Sequence, residues 1–211
     1  MARPSLSDLT ELAQGRAGGK SQSGDEPDPV RPGDRPAALA PESCGEIDIR
    51  IARDGTWFYH GSPIGRKPLV KLFSAALRRE PDGSYWLVTP AERVRIRVDD
   101  APFVAVAVAL TGAGRDAVLT FRTNVDDEVP AGADHRIRVA YNPETGEPAP
   151  YIVVREGLEA LIARPVYYDL VALGREEMVN GRTMFGVWSG GEFFALGSLD
   201  SGPAGGAAWR R

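Results

Sequence analysis

Residues 46–79 read EIDIRIARDGTWFYHGSPIGRKPLVKLFSAALRR, and the fold class turns on them. Ile47, Ile49 and Ile51 alternate with polar residues, the period of a half-buried strand. Asp54-Gly55 is a hairpin turn signal, and Thr56–His60 reads as the returning strand. After a loop at Gly61–Gly65 the periodicity changes. Leu69, Leu72, Phe73, Ala76 and Leu77 recur at i, i+3, i+4 spacing, which predicts a helix over 68–79. Pro68 suits its first position, where an N–H would have no helical partner. Arg78 and Arg79 would occupy the last turn, where the dipole favours cations, and Pro81-Asp82-Gly83 would stop it.

The same reading carries outward. Strands are expected at Ser84–Val88, Arg93–Val98, Phe103–Leu110, Ala117–Thr123, Arg136–Tyr141 and Tyr151–Arg155. A second helix is expected over Pro165–Leu173, with Gly174 as its C-terminal cap. Thr183–Trp188 and Glu192–Leu196 form a hairpin across Ser189-Gly190-Gly191. The order strand, loop, Arg-Lys-Pro or Arg-Pro helix start, two strands occurs twice. This pattern predicts an α+β protein of two small related units, residues 43–100 and 101–200, with a ligand-sized cleft between them. Residues 1–42 read as an arm and linker carrying a short Leu6/Leu9/Leu12 stripe, and 201–211 as a loose tail.

Composition narrows the function. The 211 residues carry a net charge of −4, which argues against a general nucleic-acid binder. No apolar run reaches bilayer length, and the start of the chain lacks a secretory pattern. Cys44 is the only cysteine, so neither an internal disulfide nor a cysteine zinc cluster is expected. Together these favour a cytoplasmic protein.

Four separated stretches carry a family likeness: Asp54-Gly-Thr-Trp-Phe-Tyr-His-Gly-Ser-Pro-Ile64, Leu87-Val-Thr-Pro90 with Glu92, Val98-Asp-Asp-Ala-Pro-Phe103, and Arg164-Pro-Val-Tyr-Tyr-Asp-Leu170. Over residues 43–200 the chain resembles the bacterial domain-of-unknown-function family 1285. The resemblance implies two related domains, each a helix on a strongly bent antiparallel sheet. It also implies an interdomain cleft, for which a nucleotide-like ligand and a signalling role have been suggested. It supplies no catalytic residue.

Among the residues themselves, Arg66 and Arg164 hold matching places before the proline of each helix. A helix N-terminus attracts anions, and an arginine there strengthens the attraction. Arg155 ends the strand before the second helix and Tyr168 lies one turn into it. With His60 at a loop rim, these five are the candidate contacts for a small anionic, nucleotide-like ligand. No cofactor, metal site or catalytic residue is assigned. One alternative is an adaptor that uses the N-terminal arm to hold a protein partner. Another is a hydrolase pairing His60 with Asp99 or Asp100.

Three further features have plainer readings. Thr111-Gly-Ala-Gly-Arg-Asp-Ala117 has dinucleotide-motif spacing, but a β-rich stretch follows it, so a hairpin loop is expected. Arg93, Arg95 and Arg97 share one strand face, and Arg136 and Arg138 another. If neighbours, the two strands would make a cationic face; otherwise these are solvated outer faces. Asp126-Asp127-Glu128 is expected to be a solvated loop. Arginine dominates the basic residues, twenty-two Arg to three Lys.

Overall fold

The computed structural model describes residues 42–90 and 92–200. The arm with its Leu6/Leu9/Leu12 stripe, the linker, Cys44's side chain and the tail lie outside the residues so described. The fold is α+β, the described residues forming fifteen strands and two ten-residue α-helices, and the chain divides into two compact units. Unit 1 runs to Asp99. Unit 2 runs from Asp100 and takes in Arg53–Gly55 as well.

In unit 1, β1 (Glu42–Ile51) pairs with β2 (Trp57–Tyr59), which pairs with β3 (Ser62–Pro63). Helix α1 (Lys67–Ala76) follows, then a meander of β4 (Leu77–Arg79), β5 (Tyr85–Val88) and β6 (Glu92–Val98). The sheet order is β3-β2-β1-β6-β5-β4, antiparallel except where β1 and β6 run parallel. Ile49, Ile51, Trp57, Phe73, Leu77 and Leu87 are buried to 1% exposure or less, so sheet and helix close on one core. The Trp57 and Phe73 rings stack at 6.0 Å.

The helix ends three residues earlier than its spacing implies. Leu77 is extended (φ −69°, ψ 135°) and pairs with Leu87, fully buried. Its burial is satisfied either way, and strand pairing wins. Arg79 reaches over the Tyr85 ring (5.4 Å). Pro81-Asp82-Gly83 is therefore a hairpin tip, with Gly83 at φ 86° and its N–H donating to Glu80 O.

In unit 2, β7 (Phe103–Thr111), β8 (Val118–Thr123) and β9 (Glu128–Pro130) form a meander. A second meander is β10 (Ile137–Tyr141), β11 (Pro148–Arg155) and β12 (Leu158–Ile162). The order β10-β11-β12-β7-β8-β9 is antiparallel except for the β12/β7 junction, so each unit has one parallel seam. Helix α2 (Arg164–Leu173) leads into a separate three-stranded sheet of β13 (Arg175–Val179), β14 (Arg182–Ser189) and β15 (Glu192–Ser198). The α2 core residues are Val166 and Leu170.

Gly174 does not cap α2 in the left-handed conformation: it is extended (φ −67°, ψ 155°). A Cβ there would run into the Phe185 ring, so the glycine serves close packing. The stretch read as a solvated loop at 126–128 runs into β9, whose Val129 is buried. The glycine stretch 111–117 is the expected hairpin connection between antiparallel β7 and β8, with one 3-10 turn at Gly114–Asp116.

Candidate functional site

The candidate residues divide between the units, and each unit is taken alone. In unit 1, Arg66 is the N-cap of α1. No side chain caps this helix and no acid lies in its first turn, which leaves its N-terminal dipole end uncompensated from within the helix. His60 (φ 45°) and Gly61 (φ 75°) turn the chain between Tyr59 and Ser62, so the histidine's left-handed backbone belongs to a tight hairpin. Its Nδ1 lies 3.5 Å from Asp48, both side chains being largely exposed.

That contact corrects the proposed dyad. The carboxylate beside His60 is Asp48, which also holds Arg97 at 2.7 Å. Asp99 instead accepts from Arg50 Nε at 2.9 and 3.1 Å. The Arg50 hydrogen bond holds its carboxyl below the usual carboxylate range. Asp100, in unit 2, accepts from the Tyr151 hydroxyl (2.8 Å) and pairs with Arg53 (3.1 Å).

In unit 2, Arg164 opens α2, again with no side-chain cap and no acid in the first turn. It is strongly exposed, and its ion pair with Glu147 is long at 3.5 Å. Tyr168, also exposed, lies four residues on and so shares the helix face. Burial raises the pKa of Tyr167, with a further rise from nearby Tyr141. Tyr141 is half-exposed and donates its hydroxyl to Leu196 O (2.9 Å). Arg155 takes a different direction: its guanidinium lies 5.3 Å from the centroid of the buried Phe103 ring. Arg164 and Tyr168 thus stand four residues apart on one helix, whereas Arg155 lies on the core ring.

The five-arginine face does not form, because β6 and β10 belong to different sheets. Each row is an outer face laced with acids. Arg93 meets Glu80 (3.1 Å), Arg95 meets Glu46 (3.8 Å) and Arg136 meets Glu192 (3.3 Å). Arg138 holds Glu159 through two bonds of 2.6 Å and lies 4.2 Å from the Tyr151 ring centroid. Among the described residues no group of three or more His, Cys, Asp or Glu side chains is placed to hold a metal ion.

One feature was not anticipated. A cavity of about 110 Å³ opens in unit 2 beneath the Gly112–Gly114 hairpin, lined by Leu110, Leu119, Leu173, Val187 and Trp188, with Arg175 beside them. The available signal was the pair of glycines, both at positive φ (73° and 63°) in the loop that lines it. Spacing alone gave no way to place α2 and β14 beneath it.

Family models for DUF1285 match twice: the N-terminal domain at residues 37–101 and the C-terminal domain at 102–196, both described as of unknown function. The chain belongs to the DUF1285 family. A crystal structure of a DUF1285 family protein from Silicibacter pomeroyi DSS-3 matches at 55% identity and a TM-score of 0.70. That match covers 75% of this chain and 84% of the other. A DUF1285 family protein from Shewanella baltica OS155 matches at 25% identity and a TM-score of 0.46, covering 60% and 91%. No curated protein matches. Among the described residues, no helix is long and apolar enough to cross a membrane.

Proposed function

We propose that this DUF1285 protein binds a small anionic ligand, nucleotide-like in chemistry, and takes part in signalling through it. The observation that carries the reading is the placement of Arg164 and Tyr168, exposed and one turn apart at the uncapped N-terminus of α2. A guanidinium takes phosphate oxygens in pairs, a phenol ring offers a stacking face, and the helix terminus adds free N–H groups and a favourable dipole. The long Glu147 contact is an exposed ion pair of about 0–1 kcal/mol, which a phosphate can displace. Arg66 gives α1 the same electrostatics at its start.

Thermal shift of the full chain against nucleotides and inorganic phosphate tests this. A ligand specific for the folded state at a hundred times its Kd stabilises by about 2.7 kcal/mol. We expect a saturable rise in Tm that disappears in Arg164→Ala/Tyr168→Ala. Both side chains are exposed, so the unliganded Tm should hold. A shift that survives the double replacement, or none at millimolar ligand, overturns the site.

A further inference from the structure

We infer that residues 207–211, Ala-Ala-Trp-Arg-Arg, dock back on an apolar row at the outer end of the β13–β15 sheet, with Trp209 as the anchor. Neither Arg164 nor Tyr168 takes part. The row can be followed strand by strand. Directly opposed residues of an antiparallel pair point to the same side, and residues two apart along a strand share it. The registers therefore put Met178 of β13, Thr183 and Phe185 of β14 and Gly197 of β15 on one side of the sheet. Leu199, two residues beyond Gly197, donates its N–H to Thr183 O at 2.9 Å.

This is the side that the sheet turns to the core, since Val187, two residues on from Phe185, is buried. Helix α2 covers it as far as Phe185, whose ring stands where a Cβ on Gly174 would be. The next row lacks such a cover among the described residues: Met178 is 67% exposed and Leu199 46%. Tyr141 stands beside them, 55% exposed, its hydroxyl 3.7 Å from where a Cβ on Gly197 would be. Single apolar side chains on a surface need no explanation, but a contiguous group continuing a core face marks a contact site.

Chain length and charge select the occupant. Asp200 accepts from Thr183 N at 3.1 Å, so the chain leaves the described residues on the row itself. Residues 201–211 follow and read SGPAGGAAWRR. The nine steps from Asp200 to Trp209 span at most about 30 Å, whereas three strands are only about 10 Å across. Gly202, Gly205 and Gly206 permit the backbone to double back. A tether this short gives Trp209 a local concentration in the millimolar range, so a weak contact suffices. Glu176, on the same side of the sheet, and Asp200 are both exposed, and residues 201–211 contain two arginines and no acid. A second copy packed through this row fits less well. It would bring these acids against their own counterparts, and the registers turn Arg175 and Arg182 to the opposite side of the sheet.

The test is NMR of the ¹⁵N-labelled full chain. We expect the Trp209 indole N–H to have an order parameter above about 0.6, and to fall below it in Met178→Lys, which sets a cation against Arg210 and Arg211. Met178 is exposed, so amides of β7, β8 and β11 should keep their positions in that variant. Trp209→Ala should move amides at 176–178, 183–185 and 197–199, and Arg210→Gln/Arg211→Gln should move the same set part of the way. A Trp209 order parameter below about 0.6 in the wild type, one that Met178→Lys leaves unchanged, or Trp209→Ala shifts confined to residues 201–211 overturns the proposal. So do shifts that fade on dilution, which would place the segment on a second copy.

Discussion

The Ser189 hydroxyl is fully buried and joins two separate stretches of unit 2. It donates to Ala131 O at 2.7 Å and accepts from Leu119 N at 2.9 Å. Alanine at this position would strand a donor and an acceptor where water does not reach. Each such group costs about 1–3 kcal/mol. We expect Ser189→Ala to lower unfolding stability in urea by about 2–4 kcal/mol, and Ser189→Thr to recover part of it if the extra methyl is accommodated. Tyr151 makes the corresponding case for pH. Burial, with its bond to Asp100, pushes its pKa up from 10.0 to about 12. The folded state then holds the phenolic proton that the unfolded chain releases between pH 10 and 12. Its stabilising contribution is complete below about pH 10 and is lost as pH rises through 12, on the order of 1–2 kcal/mol. Absorbance titration of tyrosine should show a late-ionising phase near pH 12 that is missing in Tyr151→Phe.

Elements depend on contacts as much as on their own sequence, and the glycines of β14 and its neighbours make that measurable. A Cβ on Gly186 would collide with the Phe194 carbonyl and the Phe193 ring. At Gly181 a Cβ meets open space, and only its φ of 77° resists substitution. We expect Gly186→Ala to cost about 1–3 kcal/mol by overpacking, and Gly181→Ala about 1–2 kcal/mol by backbone strain. Chemical denaturation of the two variants checks both. The difference also marks what the sequence could show. Ile49, Ile51 and the Val94/Ile96 row announced their strands by alternation, and Phe73 with its helical neighbours announced α1. The end of that helix was not legible, because Leu77 is apolar in either period and only its partner Leu87 decides. β12 was missed although Leu158, Ala160 and Ile162 alternate, since five residues are little signal. At the site, the Arg-Pro openings of both helices were legible from local chemistry. The cavity was not, because its walls come from β7, β8, α2 and β14, which sequence spacing does not bring together.

At the scale of the whole molecule, the family domains meet at residues 101 and 102, but the compact units do not divide the chain at one point. Unit 2 takes in Arg53–Gly55, from between β1 and β2. Asn124 fixes that insertion: its Oδ1 accepts from Val104 N at 3.0 Å, while its Nδ2 donates to Gly55 O at 3.2 Å. Gly55 sits at φ 82°, and a Cβ there would crowd both Asn124 and Val104, so this glycine is required twice over. Arg53 adds its pair to Asp100. A fragment beginning at Asp100 keeps the family's C-terminal domain but lacks Gly55 and Arg53. Asn124 would then lose the Gly55 carbonyl it donates to, and Asp100 would lose the Arg53 pair while keeping its Tyr151 bond. We expect this fragment, compared with unit 2 in the full chain, to melt at least about 4 °C lower, the shift that about 1 kcal/mol produces in a domain of this size. Asn124→Ala should destabilise the full chain more than the fragment, because one of its two bonds is already missing there. Equal melting temperatures would show that residues 53–55 contribute nothing to unit 2. A smaller effect in the fragment would show that they belong to its fold, and that the family's C-terminal domain is energetically incomplete without three residues that precede it.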